Sequence, residues 1–479
     1  MAKEILLRNS LTRKKEAFIP LHPGQVGIYA CGLTVYDVCH IGHAMQAIYF
    51  DVIRRYFEHC GYKVTYVRNV TDVDDKIINR AASLNISPMK LANDMIASAR
   101  EDMAALKVRP ADYEPRVTEN IPAIIEMIQD LIQSGVAYKT PGGDVYFKVL
   151  MKKDYGKLSN RKPEELLSGT RELAGSEKLD SLDFALWKKD DVEGATWDSP
   201  WGRGRPGWHI ECSAMAKKIL GKTFDIHGGG RDLIFPHHEN ELAQSECANH
   251  ADFARYWLHS GLLTIKHQKM SKSLGNTITI QGFLKDWHYE VLRLAFLQNH
   301  YASNVNFAED VFFTCRKRLF YFYETLQEID QLDEVSEKQS SHKDILAWEA
   351  EFDSAMCDDF NTPMALAVFN NAARLANQKL NAKLLDTSFL KALAQFLRAK
   401  GVLLGLFQEA PTSFIALHKS KILEELGLSE DQLLAMIQER QEAREQKNWA
   451  ESDRIRASLA EKRISLNDRA NGTSWSLIL

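Results

Sequence analysis

The sequence predicts an α/β protein: a parallel-sheet domain split by an insertion, then an α-helical bundle and a small C-terminal domain. Three observations carry this. Val26 to Ala30 is a short apolar run, and Tyr62 to Val70, rich in Val, Tyr and Thr, is a second. Between them Ala47, Ile48, Val52, Ile53, Tyr56 and Phe57 recur at helical spacing until Gly61 ends the run. Strand, helix and strand joined by so long a crossover pair in parallel, as one right-handed unit. Thr223 to Ile226, followed by His227-Gly228-Gly229-Gly230, repeats the strand-to-glycine-loop pattern far downstream. Beyond Lys269-Met270-Ser271-Lys272-Ser273 the periodicity is almost wholly helical.

The elements between these markers follow in order. Pro115 to Lys139 reads as helical, and Pro141-Gly142-Gly143-Asp144 turns into a strand at Val145 to Val149. Asp154 to about Lys189 is polar and irregular. Thr362-Pro363 has the form of a helix start, with Thr as N-cap and Pro in the first turn. Ala- and Leu-rich segments run to about Leu406, a polar stretch from Glu409 to Ser413 suggests a linker, and two helical segments follow Glu424. The resulting plan is a Rossmann-like domain over 1–114 and 200–265, with an insertion over 115–199. A loop-bearing region over 266–320, a helical bundle over 321–410 and a C-terminal domain over 424–479 complete it.

Composition sets the bounds. A chain of 479 residues is too long for one compact domain, and 45% hydrophobic with 26% charged residues is ordinary for a globular protein. The net charge of -4 does not mark a nucleic-acid binder, although a local basic stripe can sit on an acidic whole. The seven cysteines, at 31, 39, 60, 212, 247, 315 and 357, form no CxxC pair and fit a reducing compartment. The apolar run after Met1 is too short for a signal peptide, and no run of about 18 apolar residues occurs. The expectation is a cytoplasmic protein with no membrane span.

Two strings suit phosphate. His40-Ile41-Gly42-His43 falls after the first strand and before the first helix, where a helix N-terminus offers unpaired N–H groups to an anion. His40 and His43 can donate to phosphate oxygens, and Gly42 lets a nucleotide approach the backbone. Lys269 and Lys272, on a loop of small residues, supply point charges that can stabilise a pentacovalent transition state. In this order the two strings resemble the ATP-binding signature of class I aminoacyl-tRNA synthetases.

A second constellation offers metal ligands. With a helix starting at Pro236, His237 and Glu241 stand at i and i+4 on one face. Cys31, at the end of the first strand, and Cys212 can complete a set of two thiolates, an imidazole and a carboxylate, a combination that favours Zn²⁺. Spacing alone favours reading these residues as buried cysteines and a surface His–Glu pair. Asp72-Val73-Asp74-Asp75 reads either as a helix start rich in acids or as part of a nucleotide pocket. Trp449, Arg454, Arg456, Lys462, Arg463, Arg469 and Trp475 offer stacking faces and cations near the C-terminus, but acids are nearly as frequent there.

Cys31-Gly32-Leu33-Thr34-Val35-Tyr36-Asp37, Asn69 to Lys76, Gly207 to Ser213 and His227 to Glu241 then resemble one family in order. That family is the bacterial-type cysteinyl-tRNA synthetases, and the likeness runs through essentially the whole chain. The resemblance implies zinc ligands at Cys31, Cys212, His237 and Glu241, and a cysteine pocket lined by Trp208 and His227 with Thr34 nearby. It implies ATP contacts at His40, Gly42, His43 and Lys269, with Lys272 as the mobile-loop lysine touching ATP. It also implies stem contacts from 266–320, an anticodon-binding domain at 424–479, and a monomer. Met45 departs from the family, which commonly carries a basic residue there. The partners implied are L-cysteine, ATP as a consumed substrate together with Mg²⁺, and tRNA(Cys). Serine differs from cysteine by one atom, so a site that reads softness and acidity separates them better than a cavity does.

Overall fold

The computed structural model describes residues 4–162, 177–265, 268–269, 277–333, 343–381, 386–462, 464–469 and 472–477. The chain forms two compact units. One comprises Met1–Phe312, Lys343–Asn370 and Ala399–Leu406; the other comprises Phe313–His342, Asn371–Arg398 and Phe407–Leu479.

The first unit is built on a parallel sheet. After the hairpin β1 (Leu6–Arg8) and β2 (Lys15–Ala17), β3 (Gln25–Thr34) leads through α1 (Ile41–His59) to β4 (Lys63–Thr71). The helices α2 (Asp75–Ser83), α3 (Pro88–Ala105) and α4 (Ile121–Gln133) follow. An antiparallel sheet then runs β5 (Ala137–Lys139), β6 (Val145–Phe147), β7 (Phe184–Lys189) and β8 (Gly204–Pro206). Through α5 (Trp208–Leu220) the chain returns to β9 (Phe224–Gly230), then passes α6 (Glu239–Asn249) to β10 (Ala254–Ser260). The parallel sheet has the order β10-β9-β3-β4. The chain thus leaves β3 for one side first and fills the other side later, which opens a crevice at the carboxyl ends of β3 and β9.

Several local readings are corrected. His227-Gly228-Gly229-Gly230 is the second half of β9, not a loop. The glycines serve close packing there: a Cβ on Gly228 would lie 2.1 Å from the Phe50 ring of α1. Ala137–Lys139 is a strand, because it pairs with Val145–Phe147 across the predicted turn. Phe184–Lys189, read as irregular, is also a strand, with Phe184, Leu186 and Trp187 buried. The helix Thr362–Leu380 takes its cap from Asn361, whose side chain accepts from the Met364 amide at 3.2 Å. The Thr362 hydroxyl donates instead to the Leu297 carbonyl. Asp74 settles the acidic string as a helix start, since its carboxylate accepts from the Lys76 amide at 2.9 Å.

In the second unit, Pro411–Glu425 occupies much of the expected linker and is followed by the helices Glu430–Glu445 and Trp449–Glu461. The chain then forms a hairpin, Ile464–Arg469 with Gly472–Leu477, which the sequence reading missed. Leu433, Ile437, Ile455, Leu459, Ile464 and Leu466 close a small core. Trp449 is exposed, Arg454 pairs with Glu451 at 2.6 Å, and Lys419 stands 4.3 Å from the centroid of the Trp475 ring.

Arg293 is fully buried and pairs with Asp51 of α1 at 2.7 Å. It also donates to the carbonyls of Leu404 and Leu106, each at 3.1 Å. Burial pushes the Asp51 carboxyl up, but Arg293 and Arg55 outweigh that and hold it below its usual value. Removing one partner strands a buried charge, so Arg293→Ala should lower unfolding stability by about 3–5 kcal/mol in urea titrations. A carboxyl held down on folding contributes stability above its unfolded pKa and loses it as pH falls through the folded value. The penalty of the variant should therefore shrink below about pH 4.

Candidate active site

The crevice is a cavity of about 380 Å³. Its walls come from the end of β3, the start of α1, the end of β4, the first turns of α2 and α5, and the segments after β9 and β10.

At the start of α1, His40 is the N-cap residue and accepts from the His43 amide through its carbonyl at 2.9 Å. The His43 ring returns the contact, its Nδ1 accepting from the His40 amide at 3.3 Å, and the two rings stack with centroids 3.7 Å apart. His40, Gly42 and His43 all line the cavity. The segment 278–280 returns beside this turn: the Ile41 amide donates to Ile278 and the Ile280 amide to Cys39, each at 3.0 Å. Lys269 ends a short strand, Gln268–Lys269, paired with Leu263–Ile265. Its side chain and all of Lys272 lie outside the described residues.

Beside this turn four donors converge. Cys31 comes from β3, Cys212 and Trp208 from α5, and Glu241 from α6. His237 sits in a π-helical turn, Ile234–His238, so the regular helix begins at Glu239 and not at Pro236. The donor atoms of Cys31, Cys212, His237 and Glu241 all lie within 4.8 Å of one another, and all four residues are buried. The two sulfurs are 3.8 Å apart, Cys31 is 3.4 Å from Glu241 Oε1, and Cys212 is 3.8 Å from His237 Nε2. A tetrahedral zinc with sulfur, nitrogen and oxygen ligands at ordinary bond lengths places neighbouring donors roughly 3.4–3.8 Å apart. The set therefore fits such an ion, except that His237 and Glu241 are drawn to 2.9 Å by their direct contact.

The charges point the same way. The Cys212 thiol is pulled down to about 6, chiefly by a hydrogen bond from Cys31, while burial drives Cys31 well up. Burial opposes ionisation of Glu241, but His227 and His237 hold it well below the carboxylate range. For His237 burial pulls down, yet Glu241 and Cys212 push it up to about 10. A buried thiolate and carboxylate this close call for a cation.

Other groups orient this set. His237 Nδ1 lies 3.0 Å from His209 Nδ1, and the Trp208 ring stacks on His237 with centroids 4.0 Å apart. His227 is fully buried on β9 behind Glu241, with Nε2 2.9 Å from Oε2, and does not line the cavity. Cys31, His227, His238 and Glu241 form a second, overlapping donor group. His238 is linked in turn to His259 at 2.8 Å and onward to Ser10. Thr34, at the end of β3, lines the cavity. His209 and His259 went unread because neither falls in a recognisable spacing; only the fold brings them here. Gly32 is equally constrained, as a Cβ there would meet the Asn69 carbonyl at 1.7 Å.

Sheet order and cavity define an enzyme class: residues 17–317 match the tRNA synthetases class I (C) catalytic domain, and residues 351–408 match the DALR domain. A "Cysteine--tRNA ligase" of Legionella pneumophila subsp. pneumophila is 46% identical over 472 residues, covering 98% of this chain and 99% of its own. Another, from Desulfotalea psychrophila, is 44% identical over 485 residues, covering 99% of each. This chain belongs to the cysteine--tRNA ligase family. Its fold is also similar to that of Mycobacterium tuberculosis methionyl-tRNA synthetase in complex with methionyl-adenylate. That likeness has a TM-score of 0.61 at 15% identity and covers 85% of this chain and 95% of the other.

If the four donors act as one site, Cys212→Ser should weaken Zn²⁺ binding at least about 100-fold. Competition with a chromophoric chelator measures this, and unchanged affinity would show that Cys212 is not a ligand.

Proposed function

We infer that this chain activates L-cysteine with ATP to form cysteinyl-adenylate and transfers the cysteine to tRNA(Cys). The observation that carries this is one cavity with the His40–His43 helix start on its wall and Cys31, Cys212 and His237 beside it, in a chain of this family. In the first step a carboxylate oxygen of cysteine attacks the α-phosphorus of ATP. A mixed anhydride forms, the bond from the α-phosphorus to the bridging oxygen breaks, and pyrophosphate leaves. No protein base is required, since the attacking carboxylate is already ionised, so positioning and charge stabilisation carry the step. In the second a terminal ribose hydroxyl of the tRNA attacks the carbonyl carbon, AMP leaves, and the hydroxyl proton is released.

Each residue then has a role. His40 and His43 donate to phosphate oxygens, Gly42 admits the nucleotide to the helix start, and Lys269 and Lys272 stabilise the charge that develops during transfer. Thr34 and Trp208 shape the cysteine pocket, and His227 orients Glu241 from behind. Cys31, Cys212, His237 and Glu241 would hold one Zn²⁺, which would supply a soft Lewis acid that prefers a thiolate to an alcohol. The helical and C-terminal parts of the second unit bind the tRNA.

Cysteine-dependent exchange of pyrophosphate into ATP tests this. Exchange should occur with cysteine, fall about 10⁴-fold with serine, and disappear when zinc is chelated. Comparable rates with serine would contradict thiol selection by the metal, and no exchange from folded, zinc-loaded protein would contradict the activity.

A further inference from the structure

The cavity wall carries a cation that no step above uses. Lys76 lies in the first turn of α2, is exposed, and lines the cavity. Among the described residues that line it, Lys76 supplies the only ammonium or guanidinium group. The position is unfavourable for the helix itself, because a cation in the first turn opposes the positive end of the helix dipole. Helix stability therefore does not account for a lysine here.

Its surroundings leave the charge available. The Lys76 ammonium stands 5.5 Å from the centroid of the Tyr36 ring, and Tyr36 lines the same cavity. A ring face directs a cation without neutralising it. The neighbouring carboxylates are committed elsewhere. Asp74 caps α2 through the Lys76 amide at 2.9 Å. Asp75 pairs with Lys188 at 3.0 Å and with Arg205. Lys76 itself makes no ion pair with any described residue.

Two of the three substrates proposed for this cavity, ATP and tRNA, are polyanions, and an ammonium is a ready partner for a phosphate oxygen. We propose that Lys76 binds a phosphate group of a substrate in this cavity, with Tyr36 directing its side chain. The phosphate comes either from the ATP triphosphate or from the acceptor end of the tRNA, and the assignment rests on the functional reading above.

The test compares Lys76→Gln and Lys76→Arg with the unaltered full chain. Calorimetry follows Mg·ATP binding, and filter binding follows unacylated tRNA(Cys) across a salt series. Lys76→Gln should weaken at least one ligand about 10-fold or more, and Lys76→Arg should recover most of the loss. Weaker ATP binding assigns the phosphate to the nucleotide. Weaker tRNA binding, with a salt slope smaller by about 0.7–0.9, assigns it to the RNA. Unchanged binding of both ligands by Lys76→Gln, or equal losses in the two variants, would overturn the proposal. Because binding is read without turnover, failure of the unaltered chain to exchange pyrophosphate would count against the functional reading alone.

Discussion

The site turns on one buried carboxylate. Glu241 is fully buried and stands 2.9 Å from both His237 and His227, with the Cys31 sulfur 3.4 Å away. Desolvating a carboxylate beside two thiols is costly unless positive charge meets it. Imidazole contacts answer part of that demand, and the donor geometry suits a metal for the rest. Much of the surrounding architecture serves to bring these groups together: Cys31 from a strand, Cys212 and Glu241 from two helices, and His237 from the turn before one of them.

Backbone approach is the second requirement. The parallel sheet packs against α1 closely enough that Gly228 leaves room for Phe50, and Gly32 passes the Asn69 carbonyl without a side chain. These contacts hold β9 against α1 and the end of β3 against β4, and Cys31, Thr34 and the His40–His43 turn line one cavity. The buried Arg293–Asp51 pair ties α1 to the carbonyls of Leu106 and Leu404 as well. The His40–His43 turn and the Cys31, Cys212 and His237 donors thereby occupy neighbouring parts of a single cavity.

Much of this was legible in the sequence, for identifiable reasons. The β3–α1–β4 unit announces itself through apolar runs and helical spacing, and His237 and Glu241 through their i, i+4 separation. Cys31 and Cys212 are separated too widely for spacing to join them, and the family resemblance supplied that link. What stayed hidden depends on tertiary contacts. His227-Gly228-Gly229-Gly230 looks like a loop because glycines usually mark turns, whereas here they permit close packing within a strand. The His238–His259–Ser10 chain joins residues remote in sequence. The C-terminal hairpin was missed because Ile464 and Leu466 alternate over too short a span to stand out.

We propose that Cys31 and Cys212 share one metal that reads the substrate thiol. X-ray absorption at the zinc edge, on protein alone and with L-cysteine or L-serine, tests it most directly. The account predicts two sulfur scatterers for the protein alone, three with cysteine, and two with serine. Fewer than two sulfurs in the protein alone, or a count that does not rise with cysteine, would contradict it.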